Sequence, residues 1–205
     1  MTLTVSNVAC VRGGRTVLSG VSFDVTAGQA LILKGPNGVG KTTLLRTLAG
    51  LQDPVAGSIE FPEDTAAYAS HADGVKTQLS VEENLSFWAQ VYDQTVEDWV
   101  YDAFDLTDLR HRLAGTLSAG QKRRLGLARL GVIGRDVLFL DEPTVSLDGF
   151  SVKLFADFLQ NRHLANGGIA VIATHIDLKL DAPELDLSGF IPPADDIQTS
   201  DEAFL

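Results

Sequence analysis

Nine residues, GPNGVGKTT from Gly35 to Thr43, restrict this chain more than any other stretch. They satisfy the pattern G-x-x-x-x-G-K-[ST]. A compact apolar run, Ala30–Lys34, precedes them, and Thr42–Ala49 follows with Leu44, Leu45 and Leu48 at helical spacing. A strand that turns into a helix through such a loop needs glycine, because the backbone must take positive φ angles and approach one point closely. The new helix adds unpaired amides and the positive end of its dipole. The stretch reads as a phosphate cradle made of Gly35, Pro36, Asn37, Gly38, Val39 and Gly40. Lys41 then places a charge on the β and γ phosphates, the Thr42 hydroxyl can ligate magnesium, and Thr43 completes the first turn.

A second motif, VLFLDEP from Val137 to Pro143, is a short buried strand ending in two carboxylates. Successive strand residues point to opposite faces, so Asp141 and Glu142 take different tasks. Asp141 is placed to hold magnesium beside Thr42, and Glu142 to polarise a water for attack on a γ phosphate.

Around these motifs the chain alternates strand and helix. Residues 2–9, 16–26 and 58–69 alternate apolar and polar side chains as strands do, with Gly13–Gly14 and Ala27–Gly28 as turns. Residues 80–130 read mostly as helix, a further helix spans roughly 149–165, and Ile169–Ala173 is another apolar strand. The order predicts an α/β fold: a mixed sheet core with an antiparallel β edge and an inserted helical subdomain at about 80–130. Phe87, Trp88 and Trp99 fit either a core stripe or a partner contact.

Composition bounds the partners. The 205 residues carry 27 Asp and Glu against 16 Lys and Arg, a net charge of −11, which argues against coating nucleic acid. The seven acids of residues 181–205 account for most of this, since without them the charge is −4. That segment reads as an acidic tail, either solubilising or partner-contacting, and Pro192–Pro193 with the polar run after it reads as weakly structured. The run Lys122, Arg123 and Arg124 lies in or beside the nucleotide-facing motifs. One cysteine, Cys10, excludes an internal disulfide. No apolar run approaches the ~20 residues of a membrane span, and the first twenty residues lack signal-peptide character.

LSAGQKRR, Leu117–Arg124, sits 24 residues before Asp141 and resembles the LSGGQ signature of ATP-binding-cassette (ABC) ATPases. SLD (Ser146–Asp148) and Thr174–His175 match further elements of that family in order. The resemblance covers residues 1 to about 180 and implies the P-loop NTPase fold of ABC ATPases, with ATP and Mg2+ as ligands. It implies that Ser118 and Gly120 meet the γ phosphate held by a second copy, that Asp148 works across a homodimer interface, and that His175 is the switch histidine. Three departures stand out, the smallest being Ala119 where the signature more often has glycine. Arg12 occupies the place of the usual adenine-stacking aromatic, and its guanidinium plane can stack on a base in turn. His71 takes the place of the usual glutamine between core and helical lobe.

These departures, with CVRGG, HADGVKT, LSVEENLSFW and LSAGQKRRLGLARL, resemble the ATP-binding subunits of cytochrome c biogenesis, or heme exporter, systems. That resemblance implies an ATPase peripheral to the cytoplasmic face of the bacterial inner membrane, working under integral membrane transporter subunits. No direct heme binding is expected, because His71, His111, His163 and His175 form no heme-attachment motif. Two other expectations remain open on the motifs alone: a soluble ABC ATPase of the iron–sulfur assembly type, and the ATPase of another small exporter.

Overall fold

The computed structural model describes residues 1–70 and 72–193. Strands β1 (Thr2–Arg12), β2 (Arg15–Thr26) and β4 (Ala56–Glu60) form an antiparallel sheet in the order β2-β1-β4. The β1–β2 turn is Gly13–Gly14, at φ +58° and +76°. Two consecutive positive φ values give the twist a two-residue hairpin needs, which is why glycine fills both places. Strands β3 (Ala30–Lys34), β5 (Ala66–Ala69), β6 (Val137–Asp141), β7 (Ile169–Ala173) and β8 (Glu184–Asp186) form a parallel sheet in the order β5-β6-β7-β3-β8.

The central parallel strands β3, β6 and β7 are apolar almost throughout because both faces are covered. Leu31, Leu33, Val137, Phe139 and Val171 face α1 (Lys41–Leu48) and the antiparallel sheet. Their alternates Ile32, Leu138, Leu140 and Ile172 face the helical side, formed by α2 (Val81–Val91), α3 (Asp98–Ala103), α4 (Ala119–Ala128) and α5 (Gly149–Phe158). Each such side chain contributes about 1.5–3 kcal/mol by its burial. The layered α/β architecture with a helical insertion is the one read from the sequence.

Three segments differ from the sequence reading. Residues 58–69 are two strands in different sheets, because Pro62 and Asp64 (φ +56°) break the run between β4 and β5. The 80–130 region is three helices and short turns. Asp93 and Asp105, at φ +52° and +51°, stand where glycine usually ends a helix, so the stops were hidden. Residues 184–190 belong to the folded domain and not to a separate acidic tail beginning at 181. Strand β8 pairs with β3, and Leu187 behind it is fully buried. The tail beyond Pro193 lies outside the described residues.

Helix α5 continues through a π turn, Leu159–His163, and ends at Gly167. His163 Nε2–H donates to the carbonyl of Ile169 at 3.0 Å, and its ring lies so close to Gly168 that a Cβ there would meet it at 2.6 Å. Burial holds the His163 pKa below its ordinary value, outweighing the hydrogen bond to Ile169 that raises it. The unfolded chain therefore binds a proton that the folded chain resists, and stability falls as pH drops through the ordinary histidine range. The unfolding temperature should decline more steeply between about pH 7.5 and about pH 5.5 in the native chain than in His163→Gln. Equal slopes would remove His163 as the cause.

Candidate functional site

The loop Gly35–Gly40 leaves β3 at the carboxyl edge of the parallel sheet, where ligands of such sheets bind. Gly35 and Gly40 sit at φ +132° and +118°. A Cβ on Gly40 would stand 3.0 Å from Leu18, and one on Gly35 would stand 3.0 Å from Val39. The loop thus depends on both glycines for curvature and for its seat on β2. Helix α1 starts at Lys41, a largely buried residue whose Nζ donates to the carbonyls of Gly35 at 2.8 Å and Pro36 at 3.3 Å. The ammonium stands inside the arc of the loop. Thr43 is buried on the same helix.

Asp141 ends β6 on the face shared with Val137 and Phe139, which is the α1 side. It is 7% exposed and accepts from Thr42 Oγ1 at 3.0 Å through Oδ1, and from the Tyr68 hydroxyl at 3.0 Å through Oδ2. Two oxygen donors beside a phosphate loop suit a small, hard divalent cation better than any nitrogen or sulfur set. The next residue, Glu142, turns at φ +50°, with its amide donating to the carbonyl of Ala173 at 2.8 Å. A glutamate in this region is strained, and it is held there by the neighbouring strand β7. The two carboxylates have different partners, Thr42 and Tyr68 for Asp141 and His175 for Glu142.

His175 follows β7 directly. Its Nε2 lies 3.0 Å from Asn37 Oδ1 and 3.3 Å from Glu142 Oε1, so that nitrogen carries a proton and donates. Lys41, Thr42, Asn37, Asp141, Glu142 and His175 therefore converge, from three separate stretches of chain. Behind them Thr174 and Thr144 share a buried hydroxyl contact at 3.1 Å, which ties the end of β7 to the turn after Pro143.

The other expected residues stand apart from this cluster within one copy of the chain. Ser118 and Gln121 form a capping box at the start of α4, with Ser118 Oγ accepting from the Gln121 amide at 3.2 Å. Gly120 lies in the first turn. Asp148 caps α5 by accepting from the Ser151 amide at 2.7 Å, and this bond holds its carboxyl below the usual range. Ser118 and Asp148 are exposed, as is Arg12 at the end of β1, and none of the three hydrogen-bonds to the loop among the described residues. His71 lies outside the described residues. Trp88 and Trp99 pack against the core, Trp99 stacking on Phe158, so both belong to the helical lobe's packing. Phe87 carries the Lys76 ammonium 4.0 Å above its ring.

The basic run lies beside the nucleotide-facing motifs, but Arg123 is buried there, at 4% exposed. Its Nη1 donates to Asp73 at 2.7 Å and to the Ser70 carbonyl at 3.3 Å, while Nη2 reaches the Pro143 carbonyl at 2.7 Å. Arg124 turns to Asp105 at 2.6 Å. A charged run on a helix normally marks a solvated face, so no signal in the sequence pointed inward. Asp73 is also where α4 comes nearest the segment joining core to lobe, since a Cβ on Gly126 would meet Asp73 at 2.8 Å. Arg123 thus joins the signature helix, that segment and the backbone beside Glu142.

Comparisons with known proteins give the family. The sequence pattern of the ABC transporter family matches residues 18–145. The cytochrome c biogenesis ATP-binding export protein of Roseobacter denitrificans is 60% identical, with 100% of each chain covered. The protein of the same name from Cereibacter sphaeroides is 56% identical over 96% of this chain and 97% of its own. Among solved structures, a putative ABC transporter ATP-binding protein from Pyrococcus furiosus has the same fold, with a TM-score of 0.82 at 23% identity over 94% of this chain and 100% of its own. No helix among the described residues is long and apolar enough to cross a membrane. The nucleotide site, the layered fold and these full-length matches place the chain in the ABC transporter family, among the ATP-binding export proteins of cytochrome c biogenesis.

Proposed function

We propose that this chain is the ATP-hydrolysing subunit of a membrane ABC complex that serves c-type cytochrome biogenesis, exporting heme or releasing a heme-loaded chaperone. The convergence of Thr42 with Asp141 and of His175 with Glu142 around one phosphate loop supports the catalytic half. Similarity over the whole length to proteins named for that export supports the other half.

In this reading the amides of the loop and of the first turn of α1 hold the ATP phosphates, and Lys41 swings from the Gly35 and Pro36 carbonyls onto the β and γ oxygens. Thr42 and Asp141 hold Mg2+, which when bound draws charge from the phosphate oxygens. Glu142 accepts a proton from water as the water oxygen bonds to the γ phosphorus, and the bond from that phosphorus to the β–γ bridging oxygen breaks, leaving ADP. His175 orients the same carboxylate and carries an Nε2–H toward the γ phosphate once it leaves Asn37.

Ser118, Gly120 and Asp148 complete the site from a second copy, so the working form is a homodimer. The place of Ser118 at the start of α4 supports this, because the positive end of a helix favours an anion. Arg12 stacks on the base. The dimer sits on the cytoplasmic face of the inner membrane under integral transporter subunits, and heme is handled by another subunit. Extraction in mild detergent after co-expression with the membrane subunits tests the assembly. The chain should leave the membrane fraction together with them, and recovery wholly in the soluble fraction would overturn the exporter reading.

A further inference from the structure

Asp141 is the more constrained of the two catalytic carboxylates, and half of that constraint comes from a residue outside every motif. Tyr68 lies on β5, the edge strand, opposite Phe139 of β6. The parallel register and the alternation of side chains put Tyr68, Phe139 and Asp141 on one face, above α1. The ring of Tyr68 is half-buried against that core, and its hydroxyl reaches one step further along the neighbouring strand to the carboxylate. Each oxygen of Asp141 thus accepts one bond, from Thr42 on α1 and from Tyr68 on β5, both at 3.0 Å.

We propose that Tyr68 is a positioning residue for the cation at this site, fixing the rotation of the Asp141 carboxylate through the Oδ2 bond so that Oδ1 stays on the Thr42 side. The proposal rests on the assignment of Asp141 and Thr42 as cation ligands. Without the phenol, the carboxylate is free to turn about its Cβ–Cγ bond, and the cation must restrain that rotation itself. Groups that orient a metal ligand in this way alter metal affinity about 10- to 100-fold when removed. A tyrosine phenol carries its proton at neutral pH, so it can only donate to the Asp141 carboxylate. Phenylalanine keeps the ring in its packing and removes only the hydroxyl.

The test compares Tyr68→Phe with the unaltered residue, both in a Glu142→Gln background to prevent turnover. Two affinities are measured: ATP alone in the presence of EDTA by equilibrium dialysis, and Mn2+ for the ATP-loaded protein by electron paramagnetic resonance. The expected result is an unchanged affinity for ATP without metal and an Mn2+ affinity weakened about 10-fold. Equal Mn2+ affinities, with ATP affinity intact, would overturn the role of Tyr68 and leave the ligand assignment standing. Loss of metal-free ATP binding together with a lowered unfolding temperature would also overturn it, showing a packing role. If ATP-loaded protein of neither form binds Mn2+ more tightly than free ATP does, the ligand assignment itself falls, and this proposal with it.

Discussion

Glu142→Gln should bind ATP with Mg2+ and dimerise around it, yet hydrolyse it at no more than about one-hundredth of the native rate. The amide keeps the shape of the carboxylate and the Oε1 acceptor facing His175, so the site stays assembled. It cannot accept the proton released by the attacking water, and general-base contributions of 10²–10⁴ are typical. Size-exclusion chromatography with and without ATP, alongside phosphate release, measures both halves. Turnover near the native rate would remove Glu142 from the role of base. Loss of ATP-dependent dimerisation with ATP binding intact would instead count against the two-copy site.

Arg123→Met carries the second large effect, on stability. Methionine matches the length of the side chain but supplies no donor to the Pro143 and Ser70 carbonyls or to Asp73. Removing one partner of a buried ion pair costs about 3–5 kcal/mol, and leaving buried carbonyls unpaired adds to it. Asp73 keeps 30% of its side chain exposed, so water partly compensates that carboxylate, and the lower end, about 3 kcal/mol, is expected. For a chain of this size the melting temperature then falls by roughly 6–12 °C. Asp73→Asn should cost far less, because an amide oxygen still accepts from Arg123. Equal losses in the two variants would mean that the ion pair, and not the bonds to the Glu142–Pro143 turn, holds the region.

The parts of this protein that were legible in its sequence share one property: local chemistry fixes them. The strand–loop–helix unit around Lys41 needs glycine at defined steps, and the apolar run before Asp141 ends in charge, so order and spacing alone placed them. Strand alternation gave Asp141 and Glu142 different tasks, while the contact of Asp141 with Thr42 depends on tertiary packing. What escaped depends on tertiary packing. Arg123 looks like a surface charge until α4 is enclosed on nearly every side. Tyr68 gains its partner only because β5 and β6 are neighbours in register. Strand β8 was hidden in an acidic segment because a short edge strand needs few apolar residues, here Leu185 and the buried Leu187 behind it. The site proposed between two copies is legible only through resemblance, since one copy leaves Ser118 and Asp148 as helix caps.

The central claim is that ATP hydrolysis at this site drives c-type cytochrome formation. It is tested most directly by deleting the gene for this chain in its own bacterium and restoring either the native form or Glu142→Gln at matched protein levels. Covalently bound heme in c-type cytochromes is then measured by heme staining of membrane proteins. The account predicts loss of that heme on deletion, full recovery with the native chain and no recovery with Glu142→Gln. Normal c-type cytochromes in the deletion strain, or equal recovery with the two forms, would contradict it.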